Sequence, residues 1–250
     1  MDAFVEALSA YERRVAEDAT RRIEFIRDIV ARAGASGAVV GISGGLDSAV
    51  VAALLVRALG TSRTVGLWMP IASSAMHAEH ARLLASTLDL KLLEIDLGAA
   101  FEAFAAAMSP HAPLDELSLG NTKARLRMTA LYALANAEGL LVSDTTNRSE
   151  AYVGYVTKGG DAVADFNPLA SLTKSEVRIL GAYLGVPQAI VHKPPSADLW
   201  PGQTDEAELG VTYEALDRYL LTGEASPEVR ARIERLHEAS RHKREAMPAI

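Results

Sequence analysis

Residues 38–50 read AVVGISGGLDSAV: an apolar run, a turn holding Gly41 and the pair Gly44-Gly45, then apolar residues at helical spacing. A buried strand that gives way to a helix through glycines is a phosphate-binding arrangement. Glycine lets the backbone approach an anion, and the helix start presents amides to it. The two common phosphate loops do not fit. The form G-x-x-x-x-G-K-[ST] needs a lysine, and none occurs between Ala38 and Leu59; the glycine spacing also misses G-x-G-x-x-G. The turn carries S-G-G-x-D-S instead, with the hydroxyls of Ser43 and Ser48 as donors and Asp47 where a lysine would be expected. A carboxylate beside a polyanion makes sense when a cation lies between them, and magnesium bridges one or two carboxylates to phosphate oxygens in this way. The plainer alternative is a strand-to-helix turn capped by Ser43, with Asp47 complementing the helix dipole.

Outward from this turn, short apolar runs that read as buried strands fall at 38–42, 64–69, 91–95 and 139–142, with helical segments between them at 46–59, 76–88, 98–108 and 121–138. Alternation of this kind predicts an α/β fold: a doubly wound, mostly parallel sheet flanked by helices. An amphipathic helix over 11–33, with Val15, Ala19, Ile23, Ile26 and Val30 on one face, precedes the first strand. Ligands in such sheets sit at the carboxyl ends of the strands. The residues that follow the strands are suited to it: SGGLDS, PIASS and SDTTNRSE. Residues 151–168 are rich in glycine and charge without periodicity and read as a long functional loop. Helices are expected again at 173–185, 212–221 and 227–246, and the intervening KPPSADLWPGQTDE (193–206), with three prolines, reads as a mobile, lid-like segment.

Composition sets the outer bounds. Of 250 residues, 49% are hydrophobic and 23% charged, which fits one globular domain over 1–250 and excludes a disordered chain. A net charge of −7 gives no footprint for nucleic acid. No apolar stretch is long enough for a membrane span, and the charge-rich start lacks the apolar core of a secretory signal, so the cytoplasm is the expected compartment. Cysteine is absent, which excludes disulfides, zinc-thiolate sites and thiol nucleophiles in this chain.

SGGLDS resembles the pyrophosphate-binding loop (PP-loop) of the ATP pyrophosphatase superfamily, which has an adenine nucleotide alpha-hydrolase-like fold. Its members include GMP, asparagine and NAD synthetases and tRNA-thiolating enzymes. NTKARLRM (121–128), TTNRSE (145–150), GYVTKGGDAVADFNPLASLTK (154–174) and KPPSADLWPGQTDEAELGVTYEALDRYL (193–220) narrow the choice. In order and spacing they resemble the NAD synthetases over most of residues 12–245. That resemblance implies an ATP-dependent amidation of deamido-NAD (nicotinic acid adenine dinucleotide) through an adenylated intermediate, with release of pyrophosphate and AMP. It implies that Gly41, Ile42, Ser43, Gly44, Gly45, Leu46, Asp47 and Ser48 surround the ATP phosphates, with Thr145, Lys174 and Ser196 as further ATP ligands. Asp47 and Glu150 would bind magnesium, and Asp161 would hold the attacking ammonia, so Asp47, Lys174 and Asp161 are the candidate catalytic residues. Arg125, Lys158, Asp165, His242 and Lys243 match the deamido-NAD positions, and a homodimer is the implied assembly.

Departures from the family pattern occur at Asp144, where a glycine is usual, at Gly159, where an aromatic is common, and in MPIASSAMHAEH (69–80). The glutamine-dependent members carry an amidase domain with a cysteine nucleophile. Without cysteine, this chain is expected to use free ammonia or ammonia from a separate subunit. His77 and His80, three apart on a helix, are expected on a solvated face, since no third metal ligand is evident. Trp200 either covers the nucleotide or anchors its loop. Two other readings remain open: a PP-loop enzyme that adenylates a different carboxylate, and a nucleotide-binding protein on a degenerate version of the fold.

Overall fold

The four apolar runs pair into one sheet. In the computed structural model, which describes residues 2–196, 200, 202–246 and 248–249, they are β1 (Gly37–Gly41), β2 (Thr64–Trp68), β3 (Lys91–Glu94) and β4 (Leu140–Val142). All pairings are parallel, in the order β3-β2-β1-β4. β1 is apolar throughout because both of its faces are covered. Val39 stands in register with Val65 and Val142 on one face, and Ala38 and Val40 join the core on the other.

The helices are α1 (Ala3–Arg32), α2 (Leu46–Leu59), α3 (Ala75–Leu88), α4 (Gly98–Met108), α5 (Glu116–Glu138), α6 (Arg148–Val153), α7 (Lys174–Tyr183), α8 (Gln188–Val191), α9 (Asp205–Leu209), α10 (Tyr213–Thr222) and α11 (Pro227–Ala239). α1, α2, α3 and α7 cover one face of the sheet through Ile26, Leu54, Leu84 and Leu180, and α5 covers the other through Met128, Leu131 and Ala135. This is the doubly wound sheet expected from the alternation. A smaller cluster of Val153, Leu216 and Ile233 ties α6, α10 and α11 together.

Several boundaries differ from the expectation. α1 begins at Ala3 rather than 11, capped by Asp2, because Phe4 is buried and Arg218 on α10 both lies over its ring and pairs with Asp2. α5 begins five residues early, where Asp115 caps it through the amide of Ser118. α6, α8 and α9 fall in stretches read as irregular, since helices of four to six residues are too short to show a period. α11 stops at Ala239 and a 3-10 turn follows at Arg241–Lys243. The segment read as a lid is partly built in: Gln203 and Asp205 are buried, while 197–199 and 201 lie outside the described residues.

Strand order places the site. β1 leads through α2 to β2 on one side, whereas the connection from β3 crosses back through α4 and α5 to β4 on the other. Chains leaving β1 and β4 therefore diverge, and the crevice between their carboxyl ends is the topological switch point at which such sheets bind ligands.

Candidate active site at the switch point

The turn after β1 is set by close packing. Gly44 has φ +73°, and a Cβ there would lie 2.4 Å from the carbonyl oxygen of His77, so only glycine fits. The Ser43 amide donates to Ser48 Oγ (3.2 Å), Ser48 Oγ donates to the Gly45 carbonyl (3.1 Å), and the Gly45 amide donates to Ser43 Oγ (3.2 Å). The two hydroxyls expected to face an anion thus also brace the turn. Gly45, the N-cap of α2, makes no side-chain cap bond, so the first amides of α2 are available to an anion.

Three helix starts converge on Asp47, Glu150 and Lys174. Asp47 lies in the first turn of α2 and accepts from Asn147 Nδ2 at 3.0 Å. Asn147 also caps α6, reciprocally with Glu150. Lys174 opens α7 behind the cap Thr173, and its ammonium bonds both Asp47 and Glu150, the latter at 3.1 Å. Asp217 of α10 holds this junction from behind. It accepts from Ser149 Oγ (2.5 Å) and from the amide and hydroxyl of Ser175 (2.7 and 2.6 Å), while the Lys174 amide donates to Ser149 Oγ.

Burial pulls the Lys174 pKa down, but Asp47 and then Glu150 more than reverse this, so the ammonium stays charged. Burial pushes Glu150 up, and Lys174 offsets only part of that. Asp205, bonded by the hydroxyls of Tyr213 (3.2 Å) and Tyr155 (3.3 Å), is likewise raised by burial. One ammonium among three carboxylates, Asp205 buried and Asp47 and Glu150 partly so, leaves net negative charge. Two of those carboxylates meet at one point, which the Lys174 cation holds, and among the described residues no three His, Cys, Asp or Glu side chains group as a metal cage. This donor set fits a hard divalent cation completed by phosphate oxygens and water.

A cavity covers this centre. Of the expected ATP ligands, Gly41, Ile42, Ser43, Gly45, Leu46, Asp47, Ser48, Thr145, Lys174 and Ser196 line it, with Glu150 and Asp161; Gly44 is outside the lining. Trp68, Met69, Met128 and Leu131 supply its apolar side. Asp144 also lines it, but its carboxylate is engaged by the amides of Thr145 (2.6 Å) and Thr146 (2.8 Å) and by Asn167 (3.0 Å), closing a local turn. Burial raises its pKa against those bonds. Asp161, held by the Thr157 amide at 2.5 Å, is pushed up to about 6, chiefly by burial.

The structure corrects the reading of His77. It is 4% exposed, lines the cavity, and bonds the Ser43 carbonyl at 2.7 Å through Nδ1. Sequence reasoning also missed Arg127, Arg178, Lys193, Tyr155 and Asp205 on the cavity wall. Each is an ordinary letter in its segment: Arg127, Tyr155, Lys193 and Asp205 stood inside stretches singled out by resemblance without being picked from them, and Arg178 stood outside all of these.

The expected deamido-NAD residues lie elsewhere. Arg125 donates to the Lys158 carbonyl (3.1 Å), Lys158 to the His242 carbonyl (3.0 Å), and Lys243 to the carbonyls of Gly154 (2.8 Å) and Val156 (2.7 Å). These four form one basic group around residues 154–160, outside the cavity lining. Gly159 in that loop has φ +77°, a left-handed conformation that disfavours the aromatic expected there from the family pattern. Asp165 stands apart at β4, accepting from the Val142 amide (2.7 Å) and the Tyr132 hydroxyl (3.2 Å).

Comparison with known proteins gives the family. The NAD synthase family model matches residues 19–247. An NH(3)-dependent NAD(+) synthetase of Carboxydothermus hydrogenoformans is 43% identical, covering 91% of this chain and 94% of its own. Among solved structures, an NMN synthetase from Francisella tularensis superposes with a TM-score of 0.90 at 38% identity, covering 94% of this chain and 98% of that one. An NH3-dependent NAD synthetase from Campylobacter jejuni gives 0.78 at 32% identity, with the same coverage.

Proposed function

The chain belongs to the NAD synthase family, and on that premise we propose how its cavity carries out the ATP-dependent amidation of deamido-NAD to NAD with ammonia. The nicotinate carboxylate attacks the α-phosphorus of ATP, and the bond to pyrophosphate breaks, leaving a mixed anhydride with AMP. Ammonia then adds to the activated carbonyl carbon, AMP departs with the electron pair, and the surplus proton passes to a base. The observation that carries this reading is the meeting of Asp47, Glu150 and Lys174 beside the open amides of α2. That combination suits a leaving group that is itself a polyanion.

Asp47 and Glu150 are assigned to magnesium, which when bound neutralises the phosphates and the departing pyrophosphate. Lys174 adds fixed positive charge at the same point, and Thr145 and Ser196 complete the ATP contacts. Asp161 takes ammonium and accepts its proton, since a carboxyl near pH 6 is ionised at neutral pH and still a usable base. Arg125, Lys158, His242, Lys243 and Asp165 are assigned to deamido-NAD. The assembly is assigned as a homodimer through α4. Its sequence GAAFEAFAAAM is almost wholly apolar, yet none of its residues is buried within the chain. Among the described residues no helix is long and apolar enough to cross a membrane. The location assigned is the cytoplasm, where soluble nucleotide substrates are met.

A second reading has specific support: the neighbour with a TM-score of 0.90 is an NMN synthetase, so the deamidated mononucleotide is the competing substrate. One experiment tests both. The protein is supplied with ATP, magnesium, ammonium and either the deamidated dinucleotide or the mononucleotide, and pyrophosphate and amidated product are followed. Amidation of the dinucleotide with the higher kcat/KM is expected. Preference for the mononucleotide transfers the assignment, and pyrophosphate release with neither overturns it.

A further inference from the structure

His77 lies in the first turn of α3, on the cavity wall, with its backbone against Gly44 and its ring against Ser43. We propose that His77 is a positioning residue for the pyrophosphate-binding turn: by holding the Ser43 carbonyl, it aims the Gly44 amide at the anion. The carbonyl oxygen can only accept, so the ring must donate from a protonated Nδ1. The peptide joining Ser43 to Gly44 is planar and trans, so its C=O and N–H point in opposite directions. Fixing the oxygen at 2.7 Å therefore fixes the direction of the amide.

Such a restraint is needed because the turn is two glycines, the residues with most freedom to lose on ordering. Packing closes one route of escape, since the His77 backbone lies within 3.1 Å of where a Gly44 Cβ would be. Lys193 restrains the next peptide in the same manner, donating to the Gly44 carbonyl at 3.2 Å, and the Gly45 amide that this peptide carries meets Ser43 Oγ. Both carbonyls of the turn are thus held from outside by α3 and by the segment after α8. An anion site whose amides are set before the ligand arrives binds without the cost of ordering them. The role rests on the ATP reading given above and adds a residue to it.

The test is direct binding of inorganic pyrophosphate with magnesium, by calorimetry, to the full chain and to H77A, H77Q and H77N, with KM for ATP and for deamido-NAD measured in parallel. Asparagine places an amide N–H near the position of Nδ1, and glutamine places one near Nε2. In H77A and H77Q the pyrophosphate dissociation constant and the KM for ATP are expected to rise about tenfold, the effect of losing one such hydrogen bond. KM for deamido-NAD should stay unchanged, and H77N should restore binding to within about threefold. Rescue by glutamine and not asparagine would overturn the proposal, because the ring would then act through Nε2 on the ligand itself. Unaltered pyrophosphate binding in H77A, or equal losses in all three variants, would also overturn it. Failure of the unsubstituted chain to bind pyrophosphate would instead remove the ATP reading and this role with it.

Discussion

The charges at the carboxyl ends of β1 and β4 and those around residues 154–160 are held in opposite ways. At the switch point, Asp47, Glu150 and Lys174 meet side chain to side chain, nearly out of solvent, on three helix starts fixed by Asn147, Thr173 and Asp217. Around 154–160, Arg125, Lys158 and Lys243 are each held by main-chain carbonyls, and Arg125 and Lys158 make these bonds at the exposed surface. The first group is finished within one chain, because unpaired charges at that depth would be costly. The second makes these bonds to carbonyls and not to carboxylates, which suits the phosphorylated substrate proposed for it.

Substitutions can break this contrast or sharpen it. The largest effect is expected at the buried centre: Asp47→Asn keeps the shape but removes a charge, and kcat for pyrophosphate release should fall by about a thousandfold. A loss under tenfold would mean that the centre is structural. Next comes α4, whose face is apolar and uncovered. Phe104, 43% exposed, changed to Asp should weaken a dimer about a hundredfold, read as a shift to monomer in sedimentation at fixed concentration. At the basic group, Arg125→Ala should raise the KM for deamido-NAD about tenfold and leave that for ATP unaltered. A matched rise in both would merge the two regions into one site.

The smallest effect is a pH dependence at Asp161. Its carboxyl is raised in the fold to about 6, so the native state holds a proton that the unfolded chain releases near 3.8. The associated stability is fully present below about pH 4 and is lost as pH rises through 6; because Asp161 is exposed, solvent screening keeps the difference small, and Asp161→Asn should remove it. Urea titrations of both proteins at pH 4 and 7.5 measure it. In the same variant, the wild-type advantage in KM for ammonium should be clear at pH 7.5 and shrink below pH 6, where the carboxyl is neutral.

Legibility in the sequence followed the range of the interactions. The four strands were readable to within a residue or two, because β1 through β4 are short apolar runs bounded by turn residues and each feeds a helix. Asp47, Glu150 and Lys174 were readable because each stands at a helix start after a strand or loop, in a motif with resemblance behind it. α6 and α9 were hidden by their length. α1 was read eight residues short because its first turns depend on Arg218, more than two hundred positions away.

By itself, then, the sequence determined the winding of the sheet, the glycine turn and the carboxylate that calls for a cation beside phosphate. Those are local patterns, set by backbone freedom, side-chain period and helix-start chemistry. Tertiary structure alone decided that His77 lies behind the turn instead of in solvent, that Asp144 folds back onto its own amides and Asn167, and that Lys174 bridges Asp47 and Glu150. His77 and Lys174 owe their places to contacts between distant segments, and Asp144 to its burial between β4 and the 161–167 stretch. A solvated and a buried residue carry the same letter until packing removes the water from one of them.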